Sequence, residues 1–278
     1  MGTPLAVLRK DLLQYHVAPG DVELLLANVT GRNAAWLRAN DDATIDEKMV
    51  ELATQFVKRR ATGEPLAYIV GSAGFHGHTF LVDSGVLVPR PETEHLVDDA
   101  VAHLRSWDGV RALDVGTGSG AIACAIAAAV PGAIVHATDV SPEALIVALA
   151  NAQRLGVEGR VYFYLGDLAT PVRRKRYDVI VANLPYIPTV DIPVAPDPVS
   201  FEPRLALDGG PDGLELYRRL FADAPGMLVP AGILYMEAAP PTIGALAELA
   251  VATFPEAKVE LGRDYGERER YVKVTTPG

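Results

Sequence analysis

From about residue 108 onward, short apolar segments alternate with amphipathic ones, and few folds accommodate such a pattern. The alternation predicts a mostly parallel sheet with helices on both faces. The last two predicted strands have no helix between them, which indicates an antiparallel strand at one edge of the sheet. The predicted strands are 111–115, 134–139, 161–165, 177–183, 232–237, 258–261 and 270–275, and the predicted helices are 118–130 and 142–155.

The N-terminal quarter of the chain has a different pattern, which predicts a small helical bundle. Apolar residues recur there at helical spacing in three successive stretches. Glycine-broken, β-rich pieces follow and predict a β-hairpin linker. The predicted division is a helical domain at residues 1–70, the linker at 71–90 and an α/β domain at 91–278.

Composition limits the class of protein. A chain of 278 residues with 49% hydrophobic composition can bury a core, either as one large domain or as a small domain joined to a medium one. Its longest apolar stretches are far shorter than the ~20 residues that span a bilayer, and its N-terminus does not resemble a signal peptide. The single cysteine, Cys124, fits a reducing compartment. We therefore expect a cytoplasmic protein without a membrane segment, in which Cys124 is a buried apolar residue.

The charge distribution argues against nucleic acid as the main partner. The net charge is −10, and the basic clusters at 58–60 and 173–176 are short, whereas nucleic-acid surfaces depend on clustered Lys and Arg. We also predict no metal site. His76 and His78 would share one face of a strand, but a metal ion needs more ligands than these two.

A glycine-rich turn directly follows the first predicted strand of the sheet. Glycines at such a place allow a tight turn and a close approach of the backbone to a ligand. The spacing is GxGxG, not the GxGxxG of dinucleotide-binding proteins, and Asp114 precedes it. An acid there suits the ammonium group of an amino-acid-bearing cofactor and would repel a pyrophosphate. The turn consists of Gly116, Thr117, Gly118, Ser119 and Gly120.

Acidic residues also follow the next two strands. Asp139 ends the second strand, where a carboxylate can accept hydrogen bonds from both ribose hydroxyls of a nucleoside. Asp167 follows the third strand, and with its apolar neighbour Leu168 it could hold an adenine. Each acid alone also fits a helix cap. Together with the glycine turn, at the carboxyl edge of successive strands, they predict a pocket for S-adenosylmethionine.

The fourth strand ends in Asn183-Leu184-Pro185-Tyr186. The Asn183 side-chain oxygen and the Leu184 carbonyl could each accept one N–H of a carboxamide. Pro185 restricts Leu184 to an extended conformation and thereby aims its carbonyl, and Tyr186 offers a face on which a planar group can stack. Because a sulfonium methyl is already activated, placing the nitrogen is the main catalytic requirement. The turn therefore predicts methylation of an amide or aromatic amine nitrogen.

Four further segments resemble the protein glutamine N5-methyltransferases of the HemK/PrmC family. They are GEPLAYIVG at 63–71, VLVPRPETE at 86–94, EPRLAL at 202–207 and GGPDGL at 209–214. Residues 21–62 are also similar to the family's N-terminal helical domain. Family members methylate the glutamine of the Gly-Gly-Gln motif in class 1 peptide-chain release factors. The resemblance implies a class I S-adenosylmethionine-dependent methyltransferase with a Rossmann-like sheet, preceded by helices that recognise the substrate.

The resemblance also implies a role for each matching residue. The cofactor-binding residues would be the glycine turn, Asp139, Asp167, Leu168 and Asn183. The substrate-binding residues would be Asn183, Leu184, Pro185, Tyr186, Arg90 and Glu92. The catalytic residues would be Asn183, Pro185 and Tyr186. Arg90 and Glu92 would brace the pocket wall, although they also fit a plain helix start.

One departure from the family pattern leaves alternatives open. The family usually has NPPY, and this chain has Leu184 in place of the first proline, which keeps the carbonyl but adds an N–H. NLPY is also the turn of adenine N6-dimethyltransferases of ribosomal RNA. The leading prediction is N5-methylation of a release-factor glutamine. The alternatives are an rRNA adenine N6-methyltransferase, a ribosomal-protein glutamine methyltransferase, and a methyltransferase fold retained only for binding or assembly.

Overall fold

The computed structural model describes residues 2–105, 109–264 and 266–278. The packing of its Cα atoms divides the chain into two compact units. The first unit contains Met1–Ser72 together with Pro193–Phe201, and the second contains Ala73–Ile192 together with Glu202–Gly278. The three-part division expected from sequence stays a prediction.

The first unit is a helical bundle, as predicted, around one apolar core that includes Leu5, Leu25 and Val57. Asp46 is a residue type that favours helix starts, and it accepts a hydrogen bond from the Met49 N–H at the start of the fourth helix. Two elements are too short to show periodicity and escaped prediction, namely the third and fifth helices. The helices are α1 Leu5–Leu13, α2 Pro19–Thr30, α3 Ala34–Ala39, α4 Glu47–Ala61 and α5 Leu66–Val70, and the strands β1 Thr3–Pro4 and β2 Thr44–Ile45 pair antiparallel.

A two-stranded sheet of β3 (Ser72–Phe75) and β4 (His78–Leu81) follows, in agreement with the predicted hairpin. His76 corrects one expectation, because it lies in the turn with φ +48° and does not share a strand face with His78. Its Nε2 atom lies 3.0 Å from Oδ1 of Asp98. The turn, not the strand, therefore sets the direction of this side chain.

The second unit is built on a seven-stranded sheet, counted over the described residues, with the order β10-β11-β9-β8-β5-β6-β7. Strands β5 to β9 are mutually parallel where they pair, and β11 is antiparallel to both of its neighbours. The predicted antiparallel strand is thus β11, one position in from the edge. The strands are β5 Arg111–Val115, β6 Ile134–Asp139, β7 Val161–Leu165, β8 Tyr177–Ala182, β9 Leu228–Glu237, β10 Lys258–Arg263 and β11 Glu269–Thr275.

Helices cover both faces of this sheet, as the alternating pattern predicts. Successive residues of β8 alternate between two separate apolar clusters, with Val179 and Val181 in one and Ile180 and Ala182 in the other. The first cluster includes residues of α6 to α8 and the second residues of α9 and α10. The helices are α6 Glu94–Leu104, α7 Ala121–Ala129, α8 Pro142–Leu155, α9 Glu215–Phe221 and α10 Pro240–Thr253.

Helix α7 begins later than predicted, at Ala121 instead of residue 118. Gly118 and Gly120 have φ values of +53° and +77°, which are incompatible with a right-handed helix. Cys124 lies buried in α7, as predicted, and burial raises the pKa of its thiol to about 12. In the part of the chain that the structure describes, no helix combines the length and the apolar character that crossing a bilayer requires.

Candidate active site

The carboxyl ends of the adjacent strands β8, β5, β6 and β7 surround a cavity of about 390 Å³ in the second unit. Its volume lies in the range of small-molecule sites, and its position is where open α/β sheets bind ligands. Most of the predicted site residues line it, namely Arg90, Gly116, Thr117, Gly118, Ser119, Asp139, Asp167, Leu168, Asn183, Leu184 and Pro185. Three predicted site residues are absent from the described residues that line the cavity, namely Gly120, Glu92 and Tyr186.

The three glycines of the turn after β5 serve different physical needs. All have positive φ, which favours glycine. A Cβ at Gly120 would lie 3.0 Å from Cβ of Ala148 in α8, so this glycine permits close packing of α8. At Gly118 a Cβ would meet no described atom within 4 Å, so the backbone of this residue lies open. Residues 116–119 of the turn therefore line the cavity, whereas Gly120 packs against α8.

Asp114 lies behind this turn, not in front of it. It is fully buried, and one carboxylate oxygen accepts hydrogen bonds from the Thr117 hydroxyl at 2.6 Å and the Ala123 N–H at 3.1 Å. Burial raises the pKa of Asp114 to about 7. It is absent from the described residues that line the cavity. The expected contact with an ammonium group is therefore not provided by this geometry, and Asp114 instead fastens the turn to α7.

Asp139 occupies the predicted position at the end of β6. Its two oxygens accept hydrogen bonds from the N–H groups of Gly118 at 2.8 Å and Ser141 at 2.9 Å. Burial raises the pKa of this carboxyl, and these backbone N–H groups oppose the rise. Each carboxylate oxygen has a further lone pair, so Asp139 can accept ribose hydroxyls at the cavity wall while holding the glycine turn.

Asp167 and Leu168 form the wall after β7. Asp167 is paired with Arg219 of α9, which also lines the cavity. Leu168 adopts a left-handed conformation with φ +47°. Arg219 was not predicted, because its partner lies 52 residues earlier in the chain and no local pattern joins them.

Hydrogen bonds from other elements hold the turn after β8. The Asn183 side-chain amide donates to the Thr93 hydroxyl at 3.3 Å. The Leu184 N–H, which a proline would lack, donates to the Tyr217 hydroxyl at 3.3 Å. That hydroxyl in turn donates to the backbone carbonyl of Glu237. The extra N–H of this chain's NLPY turn is therefore satisfied, and the hydrogen bond to Tyr217 supports the turn.

Tyr186 is absent from the described residues that line the cavity, and the stacking on its ring stays a prediction. Its hydroxyl lies 3.5 Å from Oε1 of Glu237. Burial, together with the nearby Glu237 and Glu92 carboxylates, raises the pKa of Tyr186 above its ordinary value. Tyr186 therefore belongs to a polar cluster with Glu237 and Glu92.

Arg90 lines the cavity and is held by a buried carboxylate. Its Nη2 atom lies 2.5 Å from Oε1 of Glu202, whose side chain is almost fully buried. Glu92, by contrast, lies in the short 3₁₀ turn Pro91–Thr93, away from the described lining residues. The predicted bracing pair is thus separated, and Arg90 alone is placed at the wall.

The residues that sequence reasoning missed are Thr93, Tyr217, Arg219 and Glu237. Thr93 lies inside the PRPETE segment, and Tyr217 follows GGPDGL closely. Glu237 ends β9, the strand next to β8. The rule that ligands gather at the carboxyl ends of parallel strands could have found Glu237, but nothing short-range signals the other contacts.

Comparisons with known proteins place these observations in a family. The family model for the PrmC N-terminal domain matches residues 7–71, and the model for the methyltransferase small domain matches residues 94–192. The release factor glutamine methyltransferase of Moorella thermoacetica is 42% identical over 232 residues, which cover 82% of this chain and 82% of the relative. That of Bordetella pertussis is 44% identical over 233 residues, which cover 83% and 85%.

A crystal structure of a methyltransferase from Pyrococcus furiosus shares the fold, with a TM-score of 0.54 and 20% identity over 72% of this chain and 89% of that chain. The sheet order, the glycine turn after β5 and the acid after β6 define a class I methyltransferase. S-adenosylmethionine is the cofactor of this class, and the open backbone of Gly118, the lone pairs of Asp139 and the cavity volume fit it. The chain belongs to the release factor glutamine methyltransferase family.

Proposed function

We propose that this protein methylates the side-chain nitrogen of the glutamine in the Gly-Gly-Gln motif of a class 1 peptide-chain release factor. The observation that carries the proposal is the position of Asn183. Its side chain lines the cavity beside the glycine turn, with the amide nitrogen turned toward Thr93. The names of the relatives support a release factor as the substrate.

The side chains after β8 bind and orient the substrate amide. The cofactor, when bound, supplies an electrophilic methyl group on a sulfonium. Asn183 Oδ1 and the Leu184 carbonyl accept the two N–H groups of the glutamine amide and thereby fix its plane. Transfer would break the S–CH3 bond and leave a neutral thioether, while the amide nitrogen would gain the methyl group and release one proton to water. Positioning of this kind can account for several kcal/mol of a barrier, on the order of 7–11 kcal/mol in well-oriented systems.

The apolar wall of the cavity helps to exclude water from the reacting groups. Leu184 is buried and Pro185 lines the same wall. A dry wall strengthens the hydrogen bonds that hold the amide, because they no longer compete with water. The helices of the first unit, which match the PrmC N-terminal domain, are proposed to recognise the release factor outside the cavity.

The second candidate, methylation of an rRNA adenine, is supported only by the NLPY sequence. The net charge of −10 opposes a nucleic-acid substrate. A ribosomal-protein glutamine would fit the same turn, but the relatives named above favour the release factor.

The test is methyl transfer from labelled S-adenosylmethionine to a purified, unmethylated class 1 release factor. Parallel reactions contain the release factor with its motif Gln→Ala, and protein-free ribosomal RNA. We expect label on the wild-type factor only. Label on the Gln→Ala variant would refute the residue assignment, and label on RNA alone would establish the second candidate instead.

A further inference from the structure

Asn183 is hydrogen-bonded to a line of polar side chains, Thr93 and Glu237, that the methyl-transfer chemistry does not itself use. The Asn183 amide nitrogen donates to Oγ1 of Thr93 at 3.3 Å. The Thr93 hydroxyl also shares a hydrogen bond with the Glu237 carboxylate. Thr93 and Glu237 are only 3% and 2% exposed. Two buried side chains, one from a turn and one from the end of β9, thus form a hydrogen-bonded line with the residue proposed to bind the substrate.

The direction of these hydrogen bonds follows from counting protons. A threonine hydroxyl has a single proton to donate, and an ionised carboxylate can only accept. When Glu237 is ionised, Thr93 donates to it, and Oγ1 is left to accept from Asn183. The amide nitrogen of Asn183 then points to Thr93, and Oδ1 is the branch left for a ligand. Because the two branches of an asparagine amide have nearly the same shape, this network decides which of them faces a ligand.

We propose that Thr93 and Glu237 are positioning residues, which hold the Asn183 amide with its oxygen toward the substrate nitrogen. This inference rests on the proposed function, since it concerns the acceptor for the glutamine N–H. Glu237 is absent from the described residues that line the cavity, whereas Thr93 lines it beside Asn183. They act through Asn183, by fixing which end of its amide is presented.

The surroundings of Glu237 make the relay sensitive to pH. Burial raises the pKa of Glu237 to about 7, and the Glu92 carboxylate adds to the rise, while Thr93, Tyr186 and Arg270 of β11 oppose it. The Oε2 atom is buried and has no hydrogen-bond partner among the described residues, so no hydrogen bond at that oxygen stabilises the ionised carboxylate.

Protonation of Glu237 reverses the direction of the relay. A protonated Glu237 can donate to Thr93, and the Thr93 proton is then free to bond to Asn183 Oδ1 after rotation of the amide. That bond competes with the substrate for the same oxygen. Methyl transfer to the release factor is therefore expected to fall as the pH drops below about 7, without a matching loss of cofactor affinity.

The test compares Thr93→Val with Thr93→Ser in the full-length enzyme. Valine keeps the shape but removes the hydroxyl, and we expect kcat to fall by about 10- to 100-fold, the usual cost of losing a residue that orients a functional side chain. Thr93→Ser should restore the rate and the acidic limb of the pH profile, whereas Thr93→Val should flatten that limb. The Kd for S-adenosylmethionine should stay unchanged in both.

Thr138→Val is the matched control, because Thr138 is also fully buried but its hydroxyl has no hydrogen-bond partner in the described structure. It should leave the rate and the pH profile unchanged. If Thr93→Val fails to fold, Glu237→Gln gives the same information, since loss of the titrating group should remove the acidic limb.

The outcomes separate the two proposals. Equal rates and pH profiles for the wild-type enzyme and Thr93→Val would overturn the relay while leaving the function intact. A loss of thermal stability in Thr93→Val with an unchanged pH profile would reduce Thr93 to a structural role and also overturn it. No label on the release factor from the wild-type enzyme would overturn the proposed function and the relay together.

Discussion

The turns after β5 and β8 lie side by side, since these strands pair in parallel, but they are held in different ways. The glycine turn has side-chain hydrogen-bond partners within 21 residues, with Asp114 binding Thr117 and Ala123, and Asp139 binding the Gly118 N–H. The turn at Asn183 is fixed from afar, by Thr93 and Tyr217, which are 90 and 33 residues away from their partners. Both turns therefore depend on partners from other elements, but the partners of the Asn183 turn lie much farther away along the chain.

The largest expected effect separates the two turns by function. Asn183→Ala should lower kcat for methyl transfer by about 10²- to 10³-fold, the usual cost of removing one hydrogen-bonding group aimed at a reacting centre. The cofactor Kd should change far less, because the glycine turn and Asp139 remain. Single-turnover kinetics and titration calorimetry measure the two effects. Equal losses in rate and cofactor affinity would abolish the distinction between the turns.

The second prediction tests whether packing against α8 shapes the glycine turn. Gly120→Ala should reduce the free energy of unfolding by about 2–3 kcal/mol, because a left-handed alanine is strained and its Cβ would crowd Ala148. Gly118→Ala, the matched control, meets no described atom within 4 Å and should cost only about 1 kcal/mol. Urea denaturation measures both changes. If the two cost the same, packing against α8 does not shape the turn.

The third prediction tests the remote support of the turn after β8. Tyr217→Phe leaves the Leu184 N–H without its partner and should cost about 1–3 kcal/mol of stability. In a Leu184→Pro background that N–H no longer exists, so the same change should cost less. A double-mutant cycle by chemical denaturation gives the coupling. Strict additivity would mean that Tyr217 does not support Leu184.

The fourth prediction concerns the pH dependence of stability. Asp114 has a pKa of about 7 in the folded protein and an ordinary value of 3.8. As the pH rises through this interval, the unfolded chain releases the proton first, so the folded state loses stability, by about 1 kcal/mol per pH unit. Asp114→Asn should show a flatter stability profile between pH 5 and 7.

Glu237 titrates over the same interval in both proteins, so only the difference between the two profiles reports on Asp114. Parallel profiles would contradict this account. If Asp114→Asn instead removed the acidic limb of catalysis, the glycine turn and not the Asn183 turn would carry the pH dependence of the reaction.

The sequence predicts the sheet well, but it predicts poorly the hydrogen bonds that hold the turn after β8. Strands β5, β6 and β7 and helix α8 begin and end where periodicity places them. The front of the cavity was also predictable, because loops that follow parallel strands meet at one edge. Periodicity and motif spacing are local signals, and they describe these parts because the parts are specified locally.

The differences from expectation concern contacts and burial that the sequence does not show. The Tyr186 hydroxyl lies beside Glu237, which is 51 residues away, and Tyr186 is absent from the described residues on the cavity wall. Asp114 was assigned to the cofactor because its burial could not be known from its position before the glycines. Tyr186 has a partner that no local pattern identifies, whereas Asp114 bonds to Thr117 and Ala123 nearby, and only its burial escaped the sequence.

Residues 193–201 belong to the first, helical unit although they lie within the sequence of the second unit, and this limits how the enzyme can be divided. These residues follow the turn that contains Asn183 and precede Glu202, the buried partner of Arg90. The helical unit is therefore not a detachable N-terminal module, because part of it is supplied from the middle of the catalytic unit's sequence. A construction that begins at residue 73 would keep every cofactor residue, yet it would leave nine residues of the active-site connection without the helices that they pack with.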